Sequence, residues 1–253
     1  MNFNFLTDIK SKYLLKIIFG NLTRYKLLNL LKYNKLFQEK LKIRINDYNE
    51  YVQYYSKIEL ELNPNFLYRH NKFINIEKQD RPYYHIYFND DISEREQDYF
   101  TQDDNVTKIK IIIDKEVKSF KNLFSWCNCI EKIKFIKFNR VDINNMSNMF
   151  NGCLSLKEVN LDKFKTNNVT DMRGMFCGCS LLKELNLNNF ITNNVAFMNR
   201  MFEGCSSLKE LNLNNFNTNN VINMHGMFKG CSFELENQIK NQYKNIKIEA
   251  FFN

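Results

Sequence analysis

The sequence predicts an α/β repeat solenoid: stacked units with a parallel sheet on the concave side and short helices on the convex side. A small helical segment and an α+β cap are expected to precede it. Three observations predict this fold class. Cys153, Cys179, Cys205 and Cys231 recur every 26 residues. Columns of Gly, Phe and Met recur with the same period. Within each period a strand-like apolar pattern is followed by apolar residues at helical spacing. A fixed period of roughly 20–50 residues signifies stacked units, none of which can bury its apolar face alone.

Composition supports a folded chain. Of 253 residues, 44% are hydrophobic and 15% aromatic, which excludes a fully disordered protein. The formal charge is +8, with basic segments at residues 1–50 and 104–253 around an acidic stretch at 51–103. In so Lys-rich a chain these charges are expected to solvate surface elements, and no nucleic-acid partner is expected. Residues 1–16 have no uninterrupted apolar run and no small-residue cleavage site, so they do not resemble a signal peptide. No stretch approaches about 18 apolar residues, so no membrane-spanning helix is expected. The 7 cysteines are an odd number, and a reduced, cytoplasmic protein follows as the expectation.

Three segments can be distinguished. Residues 1–55 have apolar positions at helical spacing, with Leu14, Leu15, Ile18, Phe19 and Leu22, then Leu27, Leu28, Leu30 and Leu31, then Leu36, Phe37 and Leu41. About three short helices are expected there. Residues 56–103 form a small α+β cap or linker region. Ile58, Leu60 and Leu62 alternate with charged residues as in a half-buried strand, and Tyr84, Ile86 and Phe88 alternate with Tyr83, His85 and Tyr87 in a strand apolar on both faces. A strand is also expected near Phe73–Ile76 and a short helix over Ser93–Phe100. Residues 104–253 are the repeat array.

One unit shows the physics. Leu182, Leu185 and Leu187 stand at spacings of three and two, and Phe190 follows three later. Alternation turns Leu185 and Leu187 inward and their neighbours outward. The pattern returns at Leu156, Val159, Leu161 and Phe164, and at Leu208, Leu211, Leu213 and Phe216. Looser copies begin at Val106, Ile130 and Tyr243, which predicts six parallel strands. This is the strand pattern of leucine-rich repeats. Val169, Met172, Phe176 and Cys179 share a helical face, as do their counterparts in the next unit. Asp142, Asn168, Asn194 and Asn220 stand where helix N-caps would. The column of Gly152, Gly178, Gly204 and Gly230 stands where a left-handed residue would end each helix.

The segment NMSNMFNGCLSLKEVNLDKFKTNNVTDMRGMFCGCS resembles the BspA-type leucine-rich repeat, known also from mycoplasma lipoproteins. The likeness is close over Phe120–Cys231 and looser over Val106–Phe251. It implies the repeat fold and a binding role, and no reaction. Surface members of that family imply a second role, cell-surface attachment. The N-terminal stretch KIIFGNLTRYKLLNLLKYNKLFQ faintly resembles an F-box. That resemblance implies a substrate receptor of a ubiquitin ligase, with Ile18, Phe19, Leu22, Leu27 and Leu28 docking an Skp1-type adaptor. The alternative role for these helices is to cap the array.

The candidate site is the outward face of the strands. Glu158, Glu184 and Glu210 form an acidic column, and Asn160, Asn186 and Asn212 a polar one. Asp162, Asn188 and Asn214 lie beyond them, while Lys132, Lys134 and Lys137 make the preceding unit basic. A non-enzymatic scaffold holding a protein partner on this face is expected. No catalytic residue, cofactor or metal is expected. His70, His85 and His225 are scattered, and Gly20 is the one glycine outside the repeats, so no phosphate-cradling loop exists. Cys127 and Cys179 would stand about 10 Å apart on stacked units, too far to share a zinc ion. The cysteine, Met and Phe columns are expected in the core.

Overall fold

A computed structural model describes Leu28 and residues 35–42, 53–65, 72–101 and 103–252. Residues 1–56 and 57–253 form two units. In the first, helix α1 (Lys35–Leu41) is described, and Leu28 is buried. Ile18, Phe19, Leu22 and Leu27, together with most of the expected N-terminal helices, lie outside the described residues.

The second unit is built on one mixed five-stranded sheet, and this overturns the expected solenoid with convex helices. The strands are β1 (Ile58–Pro64), β2 (Tyr84–Phe88), β3 (Ile109–Ile113), β4 (Ile130–Lys137) and β5 (Glu158–Asn160), in the order β2-β3-β1-β4-β5. The two alternating segments of the supposed cap do form strands, but inside this sheet. Leu60 lies opposite Ile111 on one side and Phe135 on the other, both antiparallel. β3 is antiparallel to β2 as well. Thus β1 separates the first two repeat-like strands, and within this sheet the parallel pair is β4 with β5. The reason is register. Ile58, Leu60 and Leu62 bury the same alternate positions as Ile113, Ile111 and Ile109, so one apolar face continues across β1 and β3. Beyond β5 the equivalent segments form no regular ladder; the Lys209 N–H reaches the Lys183 carbonyl at 3.4 Å, and the side-chain amides of Asn189 and Asn215 donate to the carbonyls of Asp162 and Asn188. Phe73 and Ile74 are buried without forming a strand, and Ser93–Phe100 is not helical; it makes single bridges through Arg95 and Tyr99.

The expected convex helices are turns. Met149 N–H bonds the Met146 carbonyl and Cys153 N–H the Phe150 carbonyl, each three residues back. The third residue of each turn is left-handed: Asn148 at φ 54° and Gly152 at φ 70°. This is the condition for a type II turn, and it breaks a helix every fourth residue. The amides that a helix would use internally point to the next repeat instead. Met146, Asn148, Phe150 and Gly152 donate to the carbonyls of Asp171, Arg173, Met175 and Cys177 at 2.7–2.9 Å. A chain of parallel bridges from Ser119 through Asn145, Asp171 and Phe197 to Asn223 follows the same stacking. The Asx residues expected as helix caps serve the stack too. Asn194 and Asn220 side-chain amides donate to the carbonyls of Asn167 and Asn193, and Asp142 pairs with buried Arg140.

The core is a set of aligned columns. Phe124, Phe150, Phe176, Phe202 and Phe228 stack with centroids 5.3–5.8 Å apart and rings within 15° of parallel. The Met columns and Cys127, Cys153, Cys179 and Cys205 are buried beside them. The sixth strand expected from Tyr243 does not form. Helix α2 (Phe233–Gln242) and a 3-10 turn (Ile248–Phe251) stand there. Phe251 was expected in the strand column; it closes the stack on Phe228 instead, at 5.5 Å. Among the described residues no helix is long and apolar enough to cross a membrane.

Candidate partner-binding groove

The outward strand positions carry the candidate site. Inward residues Val159, Leu185 and Leu211 are buried, so the polar residues between them are displayed. Lys132, Lys134, Lys137, Glu158, Asp162, Glu184, Asn186, Asn188, Glu210, Asn212 and Asn214 are exposed, and Asn160 is half-buried.

The structure does not treat them as one surface. The three lysines lie on β4, against β1 and β5. Lys137 Nζ approaches Glu59 at 3.5 Å and Lys132 Nζ pairs with Glu158 at 2.9 Å, so two of the three already meet counter-charges. The asparagine column serves its own backbone. Asn160, Asn186 and Asn212 each accept, through Oδ1, the amide two residues on, at 3.0–3.1 Å. These are Asx turns, which shape the chain as it leaves each strand position. Asp162 accepts the side-chain amide of Asn186 at 3.0 Å.

Toward the C-terminal end the face opens into a groove of about 690 Å³. Residues 183–188 and 209–214 form its floor, with Leu185 and Leu211 at the bottom. Gln238 and Gln242 of α2, with Tyr243, form a wall. The Tyr243 hydroxyl accepts the Leu213 amide at 3.1 Å and ties wall to floor. The helix is positioned by Ser232, whose side chain accepts the Leu235 amide as N-cap, and by buried Leu235 and Ile239. Of the expected residues, Glu184, Asn186, Asn188, Glu210, Asn212 and Asn214 line the groove, and Glu158, Asn160 and Asp162 do not. Sequence reasoning missed Lys183, Lys209, Gln238, Gln242 and Tyr243. The signal for the wall was present: a serine, then Glu234 and Glu236, with apolar residues four apart, marks a helix start.

The other features carry less. A second hollow of about 410 Å³ lies among the turns, rimmed by Trp126, Arg173 and Arg200. Its cations are engaged: Arg173 with Asp171 at 2.8 Å and over the Phe197 ring, Arg200 with Glu203. The column cysteines are core groups. Cys153, Cys179 and Cys205 donate their thiols to the carbonyls of Phe124, Phe150 and Phe176 at 2.8–3.1 Å. Burial pushes the Cys153 thiol up to about 12. Among the described residues no cluster of His, Cys, Asp or Glu is placed to hold a metal ion.

Residues 118–242 are similar to a family described as "Mycoplasma protein of unknown function, DUF285". That span holds β4, β5, the stacked turns and α2, and leaves β1, β2 and β3 outside. No curated protein and no solved structure matches the chain.

Proposed function

We propose that the chain is a binding module that holds a partner protein in the groove between residues 183–188, 209–214 and α2. The observation that carries this reading is the groove itself. It is large enough for a short peptide segment, apolar at the bottom and charged along the rim. Lys183, Glu184, Lys209 and Glu210 form no ion pair with any described residue, unlike Lys132 and Glu158 just before them. A partner that supplies counter-charges gains from covering them. The role is binding rather than catalysis, because the rim groups are exposed, whereas acid–base catalysis draws on groups tuned by burial and close neighbours. We place the protein in the cytoplasm, a reading supported by its odd number of cysteines and by the burial of Cys127, Cys153, Cys179 and Cys205 in one core column.

The test is to fill the groove. Asn186→Trp with Asn212→Trp should abolish recovery of specific partners from native extract, as read by quantitative mass spectrometry. Asp90→Trp, at an exposed turn after β2, should leave recovery unchanged. Equal recovery by both variants, each shown to be folded by circular dichroism, would remove the groove from consideration.

A further inference from the structure

The rim charges repeat a pairing that the protein completes one unit earlier. In β4, Glu131 and Lys132 are adjacent, yet both reach the outer side. The register against β1 slips between Asn63 and Pro64, which face Lys132 and Ile130, so Glu131 is an extra residue on the β4 side. Such a bulge lets two consecutive side chains leave a strand on one side. The next unit carries the opposite order, Lys157 then Glu158. Two ion pairs close across the strands, Lys157 to Glu131 and Lys132 to Glu158, both at 2.9 Å.

From there the order is copied without inversion, as Lys183-Glu184 and Lys209-Glu210. Lysine now follows lysine and glutamate follows glutamate on neighbouring units, about 4.8 Å apart if spaced as strands are. The wall adds no balancing charge. Its groove-facing side chains are the neutral Gln238, Gln242 and Tyr243, and Lys240 is turned to Glu236 at 3.3 Å. The groove therefore presents two copies of the half-code that Glu131-Lys132 completes elsewhere.

We propose, on the basis of the groove reading above, that the occupant is an extended polypeptide segment with an acidic and a basic residue side by side. Its carboxylate meets Lys183 or Lys209 and its cation meets Glu184 or Glu210, as Glu131 and Lys132 meet Lys157 and Glu158. A polycation gains at the two glutamates and is repelled at the two lysines, and a polyanion suffers the reverse. Gln238 donates its side-chain amide to Gln242 Oε1 at 3.1 Å, which leaves the Gln242 amide nitrogen to donate to the main chain of such a segment.

The test uses the full chain and three acetylated, fluorescent peptides of about ten residues on one neutral scaffold. One carries Glu-Lys pairs, one lysine alone and one glutamate alone. Fluorescence anisotropy at low salt should give the paired peptide about tenfold tighter binding than either of the others, with the advantage shrinking as salt rises. Glu184→Lys with Glu210→Lys should move the preference to the all-glutamate peptide. Lys183→Glu with Lys209→Glu should move it to the all-lysine peptide. Tighter binding of either single-charge peptide to the unaltered chain would overturn the proposal. So would the absence of binding by all three, if Asn186→Trp with Asn212→Trp still abolished partner recovery; the groove reading would then survive and the peptide class would fall. Unaltered recovery by that variant would instead remove the groove reading itself.

Discussion

Phe176 lies between Phe150 and Phe202, with ring centroids 5.3 and 5.8 Å away, and is fully buried. Phe176→Ala empties the middle of the stack, where neither neighbour can move without disturbing its own. The expected loss is about 3–5 kcal/mol, measured by urea denaturation. A loss below about 1 kcal/mol would mean that the column relaxes and that the ring stack is not a principal source of stability. The cysteines behave by the same burial. The thiolate is the reactive form, and burial holds the thiols of Cys127, Cys179 and Cys205 well above their ordinary value. Cys231, only partly buried, is still pushed up to about 12. Native protein should therefore react slowly with a maleimide at about pH 8 and release all seven thiols on unfolding. Rapid native labelling of Cys179 would show that the stack opens. These columns were legible from the 26-residue period alone, because identical residues in identical units must meet identical neighbours. Arg140 was not. It stands where later units have Thr166, Thr192 and Thr218, is fully buried, and bonds Asp142 and the Asp114 and Val117 carbonyls.

At the level of elements, spacing identified strands better than it identified their partners. Alternation found β1, β2 and β4, since a half-buried strand must alternate. It could not say that β1 enters between β3 and β4, because pairing depends on which apolar edges meet after collapse. Helical spacing in the back segments was misleading for a different reason. Val169, Met172, Phe176 and Cys179 face one way on a helix, and two successive four-residue turns bring them to one side as well. What decides is the left-handed residue in each turn and the amides directed between repeats. α2 lies between the repeat copies that begin at Leu208 and Tyr243, where the repeat pattern predicts no element, so the wall of the groove went unseen. A second contact set joins the elements at the other end of the sheet. Asp114, just after β3, pairs with Lys57 at 2.9 Å and with His85 of β2 at 3.2 Å. Burial works against the Asp114 carboxylate, but hydrogen bonds from Lys57 and His85 hold its pKa below the ordinary value. A carboxyl with a lowered folded pKa contributes stability that is present above its unfolded pKa of about 3.9 and lost as pH falls through the folded value. Asp114→Asn should thus destabilise the protein near neutrality, and the gap from the unaltered chain should narrow below about pH 4. A gap independent of pH would show that the carboxylate's charge contributes nothing.

For the molecule as a whole, periodicity specified what stacks but not how the stack begins and ends. The beginning is a sheet whose β1 has no counterpart in the repeats, and the end is α2 with the Ile248–Phe251 turn. The candidate groove belongs to that ending: its floor repeats, but its wall of Gln238, Gln242 and Tyr243 does not, so the outward positions of the floor could be read from the sequence and the wall could not. The start of the glycine column is marked as well. Trp126 occupies the place that Gly152, Gly178 and Gly204 hold in later units, and it too is left-handed, at φ 60°. Its ring lies over Gly152, where a Cβ would approach to 2.5 Å, yet the residue is 64% exposed. The chain contains 1 tryptophan. Its fluorescence accordingly reports a single junction, the contact between the first two turns of the stack. Gly152→Ala would push the indole away and strain the backbone at φ 70°. The emission should change in intensity and quench more readily with iodide, while far-ultraviolet circular dichroism stays the same. An unchanged quenching constant would place the ring elsewhere. With the native chain, time-resolved emission during unfolding would show whether the stack frays from this end or from the helix, without any dye attached.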